Sequence, residues 1–347
     1  MSSTQVLALL TSGLLAVSAI ATAQAVTPST RPVLVSEERA LMGTRVVVKA
    51  VGDDRERLRR AVNAAFDEVS RLERLMSNFM PETQLSRINQ QAGVTPVAVS
   101  RELLWVIERS LFFSKLSDGA FDISFASVGK LWNFRAGVIP NPVAVKARLP
   151  FVDYRQIRVD EEHSTVFLPA REMEIGLGGI GKGYAMDRAM AVLTAHGVRD
   201  AMVMAGGDTL IRGKNGDDFW RVGLRDPDTA DGILAVLPLE DQAISTSGDY
   251  ERFFVKNGVR YHHILDTTTG YPATQSRSVT ILAPDAVTSD ALSTTVFVLG
   301  PERGLALVER LDDVEAIIID RNGTMHLSSG LAGLGLGAKI AEQGKEP

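Results

Sequence analysis

Asp290 and Thr294 are the residues whose types and spacing most suggest chemistry. They lie four positions apart, so on a helix they share a face about one turn apart. A carboxylate and a hydroxyl are oxygen ligands, which suit a hard cation such as Mg²⁺ held together with substrate phosphates. The alternative is an ordinary helix start, in which Ser289 or Asp290 is the N-cap. The spacing alone favours this plainer interpretation.

A glycine-rich segment, residues 176–187, precedes a predicted helix and contains Lys182. Closely spaced glycines let the backbone approach a ligand and leave N–H groups free for an anion, to which Lys182 adds a positive charge. The segment is not a P-loop, because the spacing to the lysine differs and no Ser or Thr follows it. A tight strand-to-helix turn without a ligand is an equally good interpretation. The same two interpretations apply to Gly206-Gly207-Asp208, which follows a predicted strand.

Two neighbouring histidines, His262 and His263, lie close to a turn rich in Thr and Asp. Because neighbouring side chains on a strand point to opposite faces, at most one of them can face a site. Such a histidine is a candidate general base. The competing interpretation is a structural histidine, which is the more common role for a lone inward imidazole.

The elements that must position these residues alternate irregularly between helices and strands. Apolar periodicity predicts helices at 55–76, from Ser100 onward, at 183–196 and at 289–298. Strands are predicted at 45–51, 201–204, 220–224, 233–239, 252–255, 260–265, 278–282 and 316–319, with two short ones within 153–168. Adjacent strands have the pattern of hairpins. We therefore predict an α+β fold with mixed or antiparallel sheets and flanking helices, rather than a doubly wound sheet.

The composition predicts a globular protein that does not bind nucleic acid. The chain has 347 residues, of which 45% are hydrophobic and 23% charged, and its formal net charge is −5. A nucleic-acid binder would normally carry a basic field. The chain has no cysteine, which excludes disulfides, thiolate metal sites and thiol catalysis.

The first 25 residues have the pattern of a secretory signal peptide. Leu7 to Ile20 is nearly all apolar or small, and Ala23-Gln24-Ala25 matches a cleavage site, although no Lys or Arg precedes the apolar run. An uncleaved leader that tethers the protein to the inner membrane is the alternative. We assign residues 26–40 to a linker, 41–335 to the main domain and 336–347 to a polar tail.

Taken in order, these segments resemble the ApbE family of FAD:protein FMN transferases. The resemblance runs from Met42 to Gly300, nearly the whole chain after the leader. The segments that carry it are Met42-Gly43-Thr44, Met76 to Phe79 with Ser86 to Asn89, Gly119 to Asp122, Gly178 to Gly183, Gly206 to Asp208, Thr246 to Tyr250, His263 to Gly270 and Ser289 to Thr294.

The resemblance implies an ApbE, T-fold-like architecture and roles for individual residues. The FAD would be contacted by Met42, Phe79, Ala120, Phe121, Asp122, Lys182 and the backbone of Ile264. The metal ligands would be the Gly179 carbonyl, the Asp290 carboxylate and the Thr294 hydroxyl. His263 would assist removal of the proton from the acceptor hydroxyl.

Two residues depart from the family pattern. The family commonly has Tyr where this chain has Phe79, which keeps the aromatic face and loses the hydroxyl. It commonly has Asp where this chain has Gly176, which removes a hydrogen bond to the cofactor.

The resemblance also implies an activity, a partner and a location. The activity is Mg²⁺-dependent transfer of FMN from the substrate FAD to a Ser or Thr hydroxyl of an acceptor flavoprotein, with release of AMP. The expected acceptor is a membrane electron-transfer subunit that faces the periplasm, where this chain would be exported. The alternatives are a metal-dependent FAD pyrophosphatase and a flavin-binding or delivery protein without catalysis.

Overall fold

The structure, a computed structural model, describes residues 32–229 and 232–334. Its helices are α1 (Arg55–Met76), α2 (Gln84–Gln90), α3 (Arg101–Leu116), α4 (Ala126–Gly129), α5 (Pro142–Arg148), α6 (Gly181–Ala195) and α7 (Ala286–Val308). Its strands are β1 (Val33–Leu41), β2 (Thr44–Gly52), β3 (Val97–Ala98), β4 (Arg158–Asp160), β5 (Thr165–Phe167), β6 (Asp200–Ala205), β7 (Asp208–Arg212), β8 (Trp220–Arg225), β9 (Ile233–Leu239), β10 (Ala243–Gly248), β11 (Phe253–Lys256), β12 (Val259–His262), β13 (Ser276–Ala283), β14 (Glu315–Asp320) and β15 (Met325–Leu327). The predicted signal peptide and the predicted tail at 336–347 lie outside the described residues.

An eight-stranded sheet organises the described part of the chain. Its strand order is β1-β2-β6-β7-β10-β13-β14-β15, and each neighbouring pair is antiparallel. Helices α1, α6 and α7 pack against one another and against one face of this sheet, while the β8–β9 hairpin adds to the hydrophobic cluster on the other face. The predicted α+β fold with an antiparallel sheet and flanking helices is confirmed.

Helix α1 shows how the sequence pattern produces the helical layer. Its apolar residues recur at helical spacing and are buried, from Leu58 and Val62 through Phe66 to Leu72. Asp54 caps its first turn by accepting hydrogen bonds from the backbone N–H groups of Glu56 and Arg57. The predicted bounds, 55–76, are those observed.

Several elements were missed or assigned to the wrong class, among them the edge strand β1 and the central strand β10. Residues 33–40, predicted as part of the linker, belong to β1, which pairs with β2 from Val33↔Gly52 to Leu41↔Thr44. Charged side chains along this edge strand hide its apolar alternation. The sequence pattern does not predict strand β10, because its Ser and Thr residues look like a polar loop. In the structure their hydroxyls contact other hydroxyls inside the protein.

Helix α7 is longer than predicted and is capped elsewhere. The sequence predicts 289–298, whereas the helix begins at Ala286 and continues past a kink at Gly300 (φ 77°) to Val308. Its N-cap is Asp285, so the interpretation of Ser289 or Asp290 as the N-cap is wrong. The helix is long and apolar enough to cross a membrane, but 56% of its most apolar window is buried inside the protein. It is therefore a core helix.

Candidate active site

The start of α7 is held in place by a carboxylate from α6. Asp187 accepts hydrogen bonds from the backbone N–H groups of Ala286 and Val287, both at 2.9 Å. These groups belong to the first turn of α7, where an acceptor from another element satisfies donors that the helix itself cannot. Burial raises the pKa of Asp187 to about 6. Helices α6 and α7 are thereby fixed against each other at their site-bearing ends.

Pairs of buried hydroxyls join α7 to β10. The Oγ atoms of Ser245 and Ser289 are 2.8 Å apart, and those of Ser247 and Ser293 are 2.9 Å apart. Because Ser245 and Ser247 alternate with Ile244 along the strand, both point toward the helix side of the sheet. These pairs fix the rotation of α7 and so the direction in which its next side chains point.

Asp290 is buried at the junction of α6, α7 and the glycine-rich segment. Its carboxylate is 2% exposed, and its Oδ2 accepts a hydrogen bond of 2.8 Å from the backbone N–H of Gly183. A Cβ atom at Gly183 would lie 2.2 Å from the carbonyl oxygen of Ala286, so this position admits only glycine without a backbone shift. The glycine-rich segment is therefore at least partly a packing requirement between helices.

Lys182 extends into the same junction and meets two carboxylates. Its Nζ lies 3.3 Å from Oδ1 of Asp290 and donates a hydrogen bond to Oδ2 of Asp208. Asp208 is 2% exposed, and its Oδ1 accepts a hydrogen bond of 3.0 Å from the backbone N–H of Thr246. The sequence singled out the segment of Asp208 but gave this residue no role in the site.

The Gly206-Gly207 turn places Asp208. Both glycines have positive φ, 63° and 102°, and they join β6 to β7 with Ala205 paired to Asp208. Two-residue hairpin turns of this kind require positive φ at both central positions. The pair of glycines is thus a hairpin turn whose closing residue supplies a carboxylate to the site.

Gly179 and Thr294, predicted as metal ligands with Asp290, are brought together. A Cβ atom at Gly179 would lie 3.3 Å from Oγ1 of Thr294 and 3.1 Å from a ring carbon of Phe121. Ser247 adds a hydroxyl 3.5 Å from Oγ1 of Thr294. Gly179, Thr294, Ser247 and Lys182 are each partly exposed, so solvent and substrates can reach this cluster.

The oxygen atoms of this cluster fit a hard cation. Within residues 32–229 and 232–334, no group of three or more His, Asp and Glu side chains is placed to hold a metal ion. The cluster instead offers the Asp290 carboxylate with nearby hydroxyl groups and the backbone of Gly179, while the neighbouring Asp208 carboxylate is bonded to Lys182. Such a donor set suits Mg²⁺, which keeps several waters and is completed by substrate phosphates.

His263 lies directly after β12 and has an unpartnered ring nitrogen. Its Nδ1 is buried and has no hydrogen-bond partner among the described residues. Burial, with smaller contributions from the positive charges of Arg252 and Lys182, lowers the pKa of His263 to about 3. The imidazole is therefore neutral at physiological pH in the free protein.

His262 is occupied in the fold, as expected for the neighbour of a site histidine. Its Nε2 donates to the carbonyl oxygen of Ala273 at 2.9 Å, and its Nδ1 accepts from the backbone N–H of Ile264 at 3.3 Å. The carbonyl oxygen of Ile264 accepts from the N–H of Ala273 at 3.0 Å. The backbone of Ile264, predicted to contact FAD, is thus hydrogen-bonded within the protein on both sides.

The Ala120-Phe121-Asp122 segment lies beside the cluster, but Asp122 uses its carboxylate locally. Its Oδ1 accepts from the N–H and hydroxyl of Ser124, and its Oδ2 accepts from the N–H of Tyr154 at 2.7 Å. Burial raises the pKa of Asp122. Gly119, just before the segment, accepts a hydrogen bond from the hydroxyl of Thr267, which ties it to the loop after His263.

Met42 and Phe79 differ in how they are placed. Met42 has a positive φ of 53°, and its N–H donates to Glu73 at 2.8 Å. A Cβ atom at Gly181 would lie 3.9 Å from the Met42 Cε, so the side chain reaches the start of α6. The side chain of Phe79 is almost fully exposed, at 88%. Gly176, one of the two departures from the family pattern, is buried beside Asn78.

Comparisons with known proteins show which family this chain resembles. The ApbE family model matches residues 42–318. The FAD:protein FMN transferase of Treponema pallidum (strain Nichols) is 38% identical over 292 residues, covering 78% of this chain and 81% of that protein. The crystal structure of an ApbE protein from Thermotoga maritima aligns with a TM-score of 0.80 and 32% identity, covering 86% of this chain and 98% of that one. The flavin transferase ApbE from Vibrio cholerae aligns with a TM-score of 0.76 and 28% identity, with the same coverage of 86% and 98%.

Proposed function

Because this chain belongs to the ApbE family and is an FAD:protein FMN transferase, we propose that it moves FMN from FAD to a Ser or Thr hydroxyl of an acceptor protein, using Mg²⁺ and releasing AMP. The observation that carries the proposal is the meeting of Lys182, Asp290, Thr294 and Gly179 at one junction of α6 and α7. A cation and a cluster of oxygen donors at one point suit a diphosphate substrate.

The proposed reaction is a substitution at phosphorus. The acceptor oxygen forms a bond to the FMN-side phosphorus of FAD, and the bond from that phosphorus to the bridging oxygen breaks. AMP leaves with the bridging oxygen, and the acceptor hydroxyl loses its proton. Negative charge grows on the leaving oxygen, which a preorganised positive group stabilises. Lys182 is such a group, since its ammonium is partly exposed at the cluster.

Mg²⁺ would be held by the Asp290 carboxylate, the Thr294 hydroxyl and the Gly179 carbonyl. When bound, it neutralises diphosphate charge as a Lewis acid. The buried hydrogen bond from Gly183 to Oδ2 of Asp290 fixes the carboxylate before any ligand arrives. The hydroxyl pairs between β10 and α7 hold Thr294 in the same way.

His263 is the residue we assign to the acceptor proton. Its pKa of about 3 keeps it neutral in the free protein. A neutral imidazole can take a proton, and the negative charge of a bound diphosphate favours the protonated ring. His263 would therefore become a stronger base once FAD is bound than it is in the free protein.

We also propose that the protein acts outside the cytoplasm. The support is the apolar run from Leu7 to Ile20 followed by Ala23-Gln24-Ala25. A periplasmic location suits the acceptor implied by the resemblance, a membrane electron-transfer subunit with a Ser- or Thr-containing flavinylation motif. The mass of the protein recovered from the cell envelope distinguishes a cleaved leader from one that remains as a tether.

The test is an assay with purified protein, FAD, Mg²⁺ and an acceptor domain carrying a Thr in such a motif. We expect covalent flavin fluorescence on the denatured acceptor and one AMP per flavin attached. A Thr→Val acceptor is the matched control and should stay unlabelled. FMN and AMP without labelled acceptor would identify a pyrophosphatase, and FAD recovered unchanged would identify a carrier.

A further inference from the structure

Lys182 stands between two buried carboxylates. Asp208 and Asp290 both have side chains at most 3% exposed, whereas that of Lys182 is 28% exposed. Each carboxylate also accepts one backbone N–H, from Thr246 and Gly183 respectively. A single ammonium therefore faces two negative charges that the fold holds in fixed positions.

The Lys182 ammonium lies next to the carboxylate at which the proposed metal would bind. Its Nζ lies 3.3 Å from Oδ1 of Asp290, the only carboxylate in the predicted ligand set. Two cations at one buried carboxylate oxygen repel each other strongly, because the protein screens charge less than water does. Metal binding at Asp290 therefore requires Lys182 to move away from Oδ1 of Asp290.

Asp208 is the anion with which Lys182 can pair instead of Asp290. Lys182 already donates a hydrogen bond to its Oδ2. The carboxylate is held in place by the Gly206-Gly207 hairpin turn and by the N–H of Thr246. Among the described residues, Lys182 is the only cationic side chain that forms an ion pair with Asp208.

We propose that Asp208 is a positioning residue that draws Lys182 away from Asp290 and so sets the affinity of Asp290 for the divalent cation. Lys182 is then a tethered cation that lies between both carboxylates in the free protein and stays with Asp208 and the diphosphate, away from Asp290, when metal and FAD bind. The inference rests on the metal site of the proposed function.

A charge-only role for Asp208 makes a different prediction. If its negative charge simply attracts the metal, its removal weakens metal binding whether or not Lys182 is present. If Asp208 acts through Lys182, its removal matters only while Lys182 is there. A double-mutant cycle separates the two.

The experiment is calorimetric titration of the purified chain with Mg²⁺ alone, without FAD. For Asp208→Asn, which keeps an acceptor oxygen for Thr246, we expect Mg²⁺ affinity to fall on the order of tenfold. For Lys182→Met we expect affinity to rise by about the same factor. The Asp208→Asn/Lys182→Met double variant should match Lys182→Met. Asp200→Asn, at the far end of the same β6–β7 hairpin, is the matched control and should leave the affinity unchanged.

Each outcome bears on the inference. Unchanged or weaker Mg²⁺ binding in Lys182→Met overturns it, and this variant is informative even if Asp208→Asn fails to fold. An equal loss from Asp208→Asn in both backgrounds shows that Asp208 acts by charge alone. If neither the wild-type protein nor Lys182→Met binds Mg²⁺ alone, the inference is overturned, while the proposed function is still tested separately by the labelling assay with FAD and Mg²⁺. Equal binding by wild type and every variant overturns the inference alone.

Discussion

Both carboxylate oxygens of Asp290 have partners within the protein, and the identity of these partners distinguishes Asp290 from another buried carboxylate, that of Asp122. Oδ2 accepts from the N–H of Gly183, while Oδ1 faces Lys182. Asp122 has a similar degree of burial, but its hydrogen bonds go to Ser124 and Tyr154 in its own neighbourhood. Of these two buried carboxylates, Asp290 is the one that faces a partly exposed lysine, and it is the one to expect at a metal.

Removal of the Asp290 carboxylate should stop transfer. For Asp290→Ala we expect the rate of acceptor labelling to fall by a factor of about a hundred or more, the size of effect seen when one group that stabilises charge is removed from an active site. The measurement is flavin fluorescence on the acceptor at saturating Mg²⁺. Asp200→Asn serves as the control for loss of one acidic charge. Wild-type labelling by Asp290→Ala would show that the metal is held elsewhere.

The low pKa of His263 predicts how stability depends on pH. The low pKa of about 3 means that the folded protein protonates this ring only in strong acid, whereas an unfolded chain does so near the ordinary histidine pKa of 6.5. Between these values the unfolded state binds more protons, so stability falls as the pH falls from 6.5 toward 3. The slope from this residue is at most about 1.4 kcal/mol per pH unit.

The check is the free energy of unfolding of His263→Gln in urea, measured between pH 7 and pH 4. Its pH dependence should be flatter than that of the wild type. His163→Gln removes an exposed histidine whose ring nitrogen bonds to Asp160, and it is the control. Parallel profiles for His263→Gln and the wild type would show that His263 titrates normally.

The contact between α6 and α7 is the feature on which the site depends at the level of elements. Asp187 on α6 holds the first turn of α7, Gly183 lets the two helices approach, and β10 fixes the rotation of α7 through hydroxyl pairs. These contacts join groups of the protein itself. They bring Lys182 and Asp290 within reach of each other, which neither helix can do alone.

Replacement of glycine by alanine should have different effects on stability at two positions of the glycine-rich segment. A Cβ at Gly183 would lie 2.2 Å from the carbonyl oxygen of Ala286, whereas a Cβ at Gly178 would meet nothing within 4 Å. For Gly183→Ala we expect a loss of roughly 1–3 kcal/mol of stability, the usual cost of overpacking. For Gly178→Ala we expect little change. Thermal unfolding of the two variants is the measurement, and equal unfolding temperatures would contradict the close approach.

At the scale of the whole molecule, the sheet has two differently used faces. One face, with α1, α6 and α7, contains the large core and carries the site at the ends of α6 and α7. The other face has a smaller cluster, to which the β8–β9 hairpin contributes Trp220 and Leu237. The site is thus built where helices meet over the sheet, and its ligands should add to the stability of the whole domain.

Mg²⁺ with FAD should raise the unfolding temperature. A ligand present at a hundred times its dissociation constant stabilises a protein by about 2.7 kcal/mol. For a domain of this size, with an unfolding entropy of roughly 2.1 cal/mol/K per residue, that corresponds to a shift of about 4 °C. We expect EDTA to remove the part of the shift due to Mg²⁺, and Asp290→Ala to show none of that part. A metal-dependent shift of wild-type size in Asp290→Ala would place the metal away from α7.

The sequence by itself determined the elements with strong local patterns. The bounds of α1 and the position of β9 followed from apolar spacing, and the cap of α3 followed from Ser100. The ordered motifs were enough to indicate the family. Local patterns succeed here because helix and strand periodicities are properties of neighbouring residues.

Only the tertiary structure decided which of the candidate groups face each other. The linker residues 33–40 became strand β1 because β2 pairs with them, and the cap of α7 proved to be Asp285 rather than Ser289 or Asp290. Asp208 joined the site because a hairpin turn brings it to Lys182, 26 residues away in the chain. Ion pairs and hydrogen bonds between distant segments leave no periodic trace in the sequence, so the partners of Lys182 could be found only in the folded molecule.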